Sequence, residues 1–201
     1  MGSKRAKQCC HSLTSEYKRS FIMPVLPAKQ GVLVGTTSAY WTFRTINSFK
    51  ERPTMGAEAK AKELGIEFTD DAEKAYLNMV ARLGNTLLTS GHVSDIKGKL
   101  GDGLDVEQGY AAAKECGIAI LQSVHQEVGS LDGLKVIKLF GMVNSALDFT
   151  DQHLVINGIS DLYHEIFGKD GDGFHARSAV GFAQLPTGVA VEVEAIFEIA
   201  Q

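Results

Sequence analysis

The sequence predicts an α+β fold in which a mixed β-sheet carries two helices on one face. The hydrophobic periods after residue 77 follow the order ββαβαββ, with turn-forming residues between the segments. Two helices cover only one face of such a sheet. Several strand segments are apolar on both sides, so we expect the second face to be covered by self-association.

The first elements are predicted from glycines that end periodic segments. Residues 57–64 have the composition of a short helix, and Gly65 would cap it. Residues 79–83 and 87–93 flank Gly84-Asn85, a dipeptide that accepts positive φ angles. We therefore expect a β-hairpin with a tight turn at this point.

The central elements have clear hydrophobic periods. Residues 105–128 place apolar side chains at helical spacing, and Gly129 ends the pattern. Residues 135–143 are a β-rich run. Residues 150–167 predict a second amphipathic helix that ends at Gly168.

The end of the chain predicts a second hairpin, formed by residues 175–184 and 189–200. In its last strand apolar residues alternate with glutamates. This pairing would place Arg177 opposite Phe197, which is five residues from Glu192, or about 16 Å along the sheet. We therefore expect that Arg177 and Glu192 of one subunit do not contact the same small ligand.

The first 54 residues differ in composition from the rest. Residues 1–50 carry eight Lys/Arg against one acid, a charge of +7, whereas residues 51–201 carry 12 against 23, a charge of −11. A basic, acid-poor segment rich in Ser and Thr is typical of an organellar transit peptide. The alternatives are a basic extension without targeting value, or an upstream start, because Met55 opens a sequence suited to an N-terminus. We place the domain boundary between residues 54 and 55.

Composition also bounds the compartment and the partners. The three cysteines, Cys9, Cys10 and Cys116, make no disulfide framework, which indicates a reducing compartment. We predict a cytoplasmic or organellar protein rather than a secreted one. No apolar run is long enough for a membrane span, and the acidic balance after residue 50 argues against a specific nucleic-acid partner.

Familiar cofactor, metal and nucleophile motifs are absent from the sequence, and we expect no cofactor. The six histidines lack zinc-ligand spacing, and Cys116 is predicted to be a small core residue. Arg177 is the exception, because it begins a strand that otherwise resembles core. Its guanidinium can hold a carboxylate through two parallel hydrogen bonds. The alternative is a surface arginine paired with an acid.

Several short segments, taken together and in this order, resemble the RidA/YjgF family, which is also called endoribonuclease L-PSP or translation-inhibitor-like. The likeness runs from Leu77 to Ile199 and rests on residues 88–91, 154–158, 176–178, 185–186 and 191–194. Residues 143–150 and 175–194 are more similar to a longer-chain subgroup than to the best-studied members.

The resemblance implies a chorismate-mutase-like fold assembled as a homotrimer, with a pocket at each subunit interface. It also implies hydrolysis of reactive enamines and imines, such as 2-aminoacrylate and 2-iminobutanoate, to 2-keto acids and ammonia. The expected ligand is therefore a small 2-imino or 2-keto acid. By the same resemblance, the site residues are Arg177, Ser90, Gly91, Asn157, Glu192 and, from a less exact match, Tyr76.

The roles of these residues follow from the chemistry of an imine. Its carbon is already electrophilic, so the protein mainly has to position substrate and water. We expect Arg177 to bind the carboxylate, Glu192 to orient or deprotonate the water, and Ser90 with nearby backbone groups to hold the nitrogen. A solvated strand glutamate is the alternative for Glu192. Arg177 and Glu192 of one pocket should come from different subunits.

Three positions depart from the family pattern. Ala179 stands where the best-studied members have cysteine, His92 stands where glutamine is usual, and Tyr76 lies one residue further from the first hairpin turn. These changes bear on substrate size and rate. Two other functions stay open: a non-catalytic trimer that binds a small metabolite, and a ribonuclease or translation inhibitor whose basic N-terminal segment binds RNA nonspecifically.

Overall fold

The computed structural model describes residues 55–69 and 76–200, which lie within one compact unit. The predicted N-terminal extension, residues 1–54, falls outside the described residues, so its targeting role stays a prediction. Among the helices of the described part, none is long and apolar enough to cross a membrane.

The elements follow the predicted order, with short additions in the loops. The α-helices in the described ranges are α1 (Ala57–Glu63), α2 (Val106–Val128), α3 (Gln152–Val155) and α4 (Asn157–Phe167). The strands there are β1 (Val80–Leu83), β2 (Thr86–Thr89), β3 (His92–Val93), β4 (Lys99–Leu100), β5 (Gly103–Leu104), β6 (Leu134–Asn144), β7 (Ala176–Phe182) and β8 (Val191–Ile199).

The main sheet is mixed, as predicted. Its strand order is β1-β2-β8-β6-β7, and β3 pairs with β8 beyond the end of β2. β6 and β7 run parallel, and the other neighbouring strands are antiparallel. β4 and β5 form a small separate pair. The α+β class therefore agrees with the pattern of the sequence.

Local signals set the ends of the first hairpin and of the long helix. Gly84 has a φ of +62°, whereas Asn85 does not adopt a positive φ, so glycine alone makes the turn possible. The Asp105 side chain accepts a hydrogen bond from the Gln108 backbone, and the Gln108 side chain accepts one from the Asp105 backbone. Gly129 ends α2 in the left-handed conformation, as predicted.

The predicted second hairpin is wrong. β7 pairs with β6, and β8 lies between β6 and β2, so β6 separates the two strands. Arg177 therefore lies opposite Leu139 and not opposite Phe197. The physical reason lies in β6, where residues 141–144 are buried without interruption. A strand covered on both faces takes a central place, whereas the more exposed β7 takes an edge.

The core lies between the sheet and the helices. Alternate residues of β8 point to opposite faces. The residues that β8 buries on the helix side are Val191, Val193, Ala195 and Phe197. We call the opposite side of the sheet the open face. Among the residues it presents are Leu88, Phe140, Val180, Glu192, Glu194 and Ile196. Because acidic and partly exposed apolar side chains share this face, self-association through it stays our expectation.

Candidate functional site

Arg177 is held by three neutral acceptors on the helix side of the sheet. Its Nη1 donates to Asn157 Oδ1 at 2.9 Å and to Ser160 Oγ at 3.0 Å. Its Nη2 donates to the carbonyl oxygen of His153 at 3.3 Å. The structure therefore brings together two of the predicted site residues, Arg177 and Asn157. We call Arg177, Asn157, Ser160 and His175 the arginine cluster.

Strand β7 and helix α4 bring Arg177, Asn157 and Ser160 together. Arg177 pairs with Leu139, whose side chain is fully buried beneath the helices, so Arg177 also projects to the helix side. Asn157 begins α4, and Ser160 lies one turn later on the same side of that helix. The edge position of β7 leaves the arginine half-buried rather than enclosed.

The electrostatics of Arg177 differ from those of a surface ion pair. Partial burial lowers the pKa of Arg177, and the charge of Asp161 opposes that shift. Within residues 55–69 and 76–200, no carboxylate forms an ion pair with Arg177. The guanidinium stays charged, since its ordinary pKa lies far above neutrality. It is therefore a cation held by polar groups and still able to bind an acid.

Sequence reasoning missed Ser160 and His175. His175 Nε2 lies 3.1 Å from Ser160 Oγ, and its Nδ1 lies 2.6 Å from the carbonyl oxygen of Gly173. The only available signals were spacings: Ser160 is one helical turn after Asn157, and His175 is two residues before Arg177. Neither spacing by itself predicts a contact.

A second group of predicted residues meets around Glu192 on β8. Gly91 packs so closely on it that a Cβ at position 91 would overlap Glu192 Oε1. Ser90 and Gly91 interrupt the strand between β2 and β3, and Ser90 Oγ donates to the Asn78 carbonyl at 2.8 Å. We call Ser90, Gly91, His92 and Glu192 the glutamate cluster.

His92 holds the Ser90-Gly91 segment in place from the helix side of the sheet. Its Nδ1 lies 2.9 Å from the Ser90 carbonyl oxygen, and its Nε2 lies 2.8 Å from Ser123 Oγ on α2. A carbonyl only accepts, so Nδ1 carries the hydrogen and Nε2 accepts from the serine hydroxyl. Burial lowers the pKa of His92, and the bond to Ser90 opposes that shift. The ring is therefore neutral near pH 7 and fixes the Ser90-Gly91 backbone.

The pKa of Glu192 is raised by its surroundings. Burial is the main cause that raises its pKa, and the like charge of Glu194 adds to it. Among the hydrogen bonds and ion pairs of the described residues, none involves the Glu192 carboxylate. The group is half-buried on the open face, where water or a ligand can reach it.

The two clusters lie on opposite faces of the sheet. Arg177 shares the helix side with Leu139 and Ala195, whereas Glu192 lies opposite Met142 on the open face. Two strand spacings and three residues of strand separate their backbones by about 14 Å. Arg177 and Glu192 of one chain are therefore far apart, as the sequence predicts, although the strand pairing that separates them differs from the predicted one. One chain does not place both residues in the same pocket.

The remaining candidates belong to neither cluster. The side chain of Tyr76 is fully exposed, so the structure does not bring it to the other predicted residues. Cys116 is fully buried, and burial raises the pKa of its thiol to about 12, as expected for an unreactive core residue. No group of three or more potential ligands in the described ranges could hold a metal ion.

Comparisons with known proteins give three findings. A family model described as Endoribonuclease L-PSP matches residues 69–199. Protein TCP17 from Trypanosoma cruzi is 41% identical over 150 residues, which cover 70% of this chain and 92% of that protein. The solved structure of Atu1372 from Agrobacterium tumefaciens, a protein with unknown function, is 38% identical with a TM-score of 0.63 and covers 71% of this chain and 92% of its own.

A second solved structure supports the fold alone. A putative endoribonuclease from Shewanella oneidensis is 24% identical with a TM-score of 0.66, and the match covers 72% of this chain and 100% of that chain. The described α+β architecture is therefore shared at an identity where details of a site do not transfer.

Proposed function

The chain belongs to the endoribonuclease L-PSP family, which is the RidA/YjgF family, and on this basis we propose that it hydrolyses reactive 2-imino and enamine acids. The products would be a 2-keto acid and ammonia. The observation that carries the proposal is the charged Arg177, held by three neutral acceptors and not by an acid. Such an arginine is prepared for a carboxylate ligand.

The hydrogen bonds of Arg177 determine which edge would bind that carboxylate. Both hydrogens of Nη1 are used by Asn157 and Ser160, and one hydrogen of Nη2 is used by His153. One hydrogen on Nε and one on Nη2 remain, and we propose that the side of the guanidinium formed by Nε and Nη2 faces the ligand. A carboxylate on this side accepts two parallel hydrogen bonds while the existing contacts persist.

We propose that the pocket is completed by a second subunit of a homotrimer. Arg177 and Glu192 of one chain face away from each other, so a small ligand at Arg177 needs its acid–base group from elsewhere. The partly exposed apolar residues of the open face supply a surface for association. Each subunit would then contribute its arginine cluster to one pocket and its glutamate cluster to the next.

The reaction needs little beyond positioning. Water adds to the electrophilic carbon of the protonated imine, and Glu192 accepts a proton from that water. Glu192 then passes this proton to the nitrogen of the tetrahedral intermediate. The C–N bond breaks, ammonia leaves, and the carbonyl of the 2-keto acid forms. Ser90 Oγ and the Gly91 backbone N–H would hold the nitrogen and the developing charge in place.

The direct test generates 2-iminobutanoate from threonine with a pyridoxal-dependent dehydratase and follows 2-ketobutanoate release. We expect the protein to accelerate release over the spontaneous rate. Arg177→Lys keeps the charge but loses the two-pronged geometry, so it should raise KM about tenfold or more. Arg82→Lys, at an exposed arginine whose Nε donates to the Gly84 carbonyl, is the matched control and should behave as wild type.

One other function has an observation in its favour. Arg177 is held by Asn157, Ser160 and the His153 carbonyl without any contact to Glu192, which suits a trimer that binds a 2-keto acid and does not turn over a substrate. Calorimetric titration with 2-ketobutanoate separates the two: binding that needs Arg177, without acceleration of imine hydrolysis, would favour this alternative. If wild type and Arg177→Lys instead degraded added RNA at the same rate, the protein would be a ribonuclease whose site does not include Arg177.

A further inference from the structure

Behind Arg177 runs a chain of hydrogen bonds that leads away from the proposed pocket. It passes from Arg177 Nη1 to Ser160 Oγ at 3.0 Å, then to His175 Nε2 at 3.1 Å, and from His175 Nδ1 to the Gly173 carbonyl at 2.6 Å. We infer that Ser160 and His175 are positioning residues that orient the Arg177 guanidinium before a carboxylate binds. This inference rests on the proposed function.

The direction of each hydrogen bond follows from which groups can donate. Arginine only donates, so Ser160 Oγ accepts from Nη1. The Gly173 carbonyl only accepts, so the hydrogen of His175 lies on Nδ1 and Nε2 has a free lone pair. The hydroxyl hydrogen of Ser160 can therefore point at Nε2, which turns an oxygen lone pair toward Arg177.

The far end of this chain of hydrogen bonds lies in a closely packed turn at Gly173. Gly173 donates its backbone N–H to the Gly168 carbonyl at 3.0 Å. A Cβ at Gly173 would lie 2.7 Å from the carbonyl oxygens of both Gly168 and Tyr163, so only glycine fits there. The His175 ring also lies 5.2 Å from the ring of His164 on α4. Ser160 is only 5% exposed, which limits other conformations of the hydroxyl.

A neutral His175 suits this role. Burial is the first cause that lowers the pKa of His175, and the nearby His164 and Arg177 lower it further, against the bond to Gly173. A proton on Nε2 would remove the acceptor of the Ser160 hydroxyl and place a second cation beside the guanidinium. The neutral ring instead accepts the Ser160 hydroxyl hydrogen at Nε2, so that the Ser160 oxygen can accept from Arg177.

The consequence is a guanidinium that cannot turn freely. Because Nη1 donates to Ser160 and Asn157 and Nη2 donates to the His153 carbonyl, rotation about the Nε–Cζ bond would break three hydrogen bonds at once. The side formed by Nε and Nη2 then stays toward the ligand. If Ser160 loses its orientation, one of these bonds weakens, and carboxylate binding should suffer while the later chemical steps do not.

The test compares His175→Gln with His175→Met, two side chains of similar size. Glutamine can place an acceptor oxygen near the Ser160 hydroxyl, and methionine cannot. We expect His175→Met to raise KM and the Kd for 2-ketobutanoate about tenfold with kcat within about twofold, and His175→Gln to stay near wild type. Ser160→Ala breaks the same chain and gives the same pattern even if His175→Met does not fold.

A readout without substrate separates this inference from the proposed function. In protein labelled with ¹⁵N-arginine, NMR measures rotation of the Arg177 Nη groups, which should be slow in wild type and His175→Gln and faster in His175→Met and Ser160→Ala. That pattern in a protein inactive toward imines supports the positioning role and rejects the activity. Unchanged rotation and unchanged KM in folded His175→Met and Ser160→Ala, or a loss confined to kcat, would overturn the inference.

Discussion

The arginine cluster and the glutamate cluster are built in opposite ways. Within the described residues, Arg177 donates hydrogen bonds to Asn157, Ser160 and the His153 carbonyl of its own chain. Glu192, in contrast, sits half-buried on the open face with a raised pKa and, in the described part of the chain, no hydrogen-bond donor. Under the proposed function, a single chain would carry a preformed binding site for the carboxylate and a base that acts only in a neighbouring subunit's pocket.

The largest expected effect comes from Gly158→Ala, which would break the arginine cluster by moving α4. A Cβ at Gly158 would overlap the backbone carbonyl of Tyr110 on α2, and backbone does not move aside easily. We expect the free energy of unfolding to fall by about 3 kcal/mol.

Gly117→Ala on the same helix pair is the control for that variant. The nearest atoms to its Cβ would be side-chain atoms of Ile159 and Leu162, at 2.9 to 3.3 Å, so the expected cost is about 1 kcal/mol. Helix propensity favours alanine more at Gly117, in the middle of α2, than at Gly158, in the first turn of α4, and this difference is at most about 1 kcal/mol, so the rest of the difference reports packing. Urea unfolding measures both, and equal costs would argue against a backbone contact as the cause.

The next effect isolates the chemical half. Glu192→Gln keeps the shape of the side chain and removes the base, so kcat for imine hydrolysis should fall about 100-fold while the Kd for 2-ketobutanoate changes little. Glu194→Gln, two residues along the same strand, is the matched control and should keep most of the kcat. A Glu192→Gln variant that lost affinity and kept kcat would assign this glutamate to binding.

A smaller effect concerns pH. In the proposed mechanism the carboxylate form of Glu192 is the base, so kcat/KM should rise as pH passes the pKa of Glu192, which burial raises from its ordinary value. Glu194→Gln removes one of the two causes of the raised pKa and leaves burial, so this limb should move part of the way to lower pH. A limb that does not move in the variant would show that another group titrates.

The smallest effect concerns stability around the glutamate cluster. His92 in the unfolded chain takes up a proton near pH 6.5, but burial lowers its pKa in the folded protein. The folded state therefore binds fewer protons, and the free energy of unfolding falls as pH drops through this range. His92→Gln should lose less stability than wild type between about pH 7.5 and about pH 5.5. His153→Gln, at an exposed histidine, should match wild type.

Local signals in the sequence predict where helices and strands begin and end, but they do not predict which strands pair with each other. The ends of α2 follow from Asp105 and Gly129, because capping depends on adjacent residues only. The place of β7 does not, since strand pairing is decided by competition among distant segments, and the doubly buried β6 took the position beside β8. The predicted hairpin failed for this reason.

In the candidate site, too, some residues could be predicted from the sequence and others could not. The resemblance to a family identified Arg177 and Asn157, and the structure brings them together. Ser160, His175 and the contact of His92 with Ser123 were missed, because each pairs residues that the chain brings together only after the sheet and helices have packed. Tyr76 was matched by position alone, and its exposed side chain has no counterpart contact in the described residues.

Subunit complementation tests most directly whether the two halves meet across an interface. Arg177→Lys and Glu192→Gln subunits are unfolded together at equal amounts, refolded as mixed trimers and assayed for 2-iminobutanoate hydrolysis. If each pocket takes its arginine from one subunit and its glutamate from the next, about a quarter of the pockets in random trimers carry both native residues. At substrate concentrations well below KM, we therefore predict about a quarter of wild-type activity from the mixture, although the Arg177→Lys protein alone should reach about a tenth and the Glu192→Gln protein about a hundredth. Mixed trimers with no more activity than the separate variants would contradict the account.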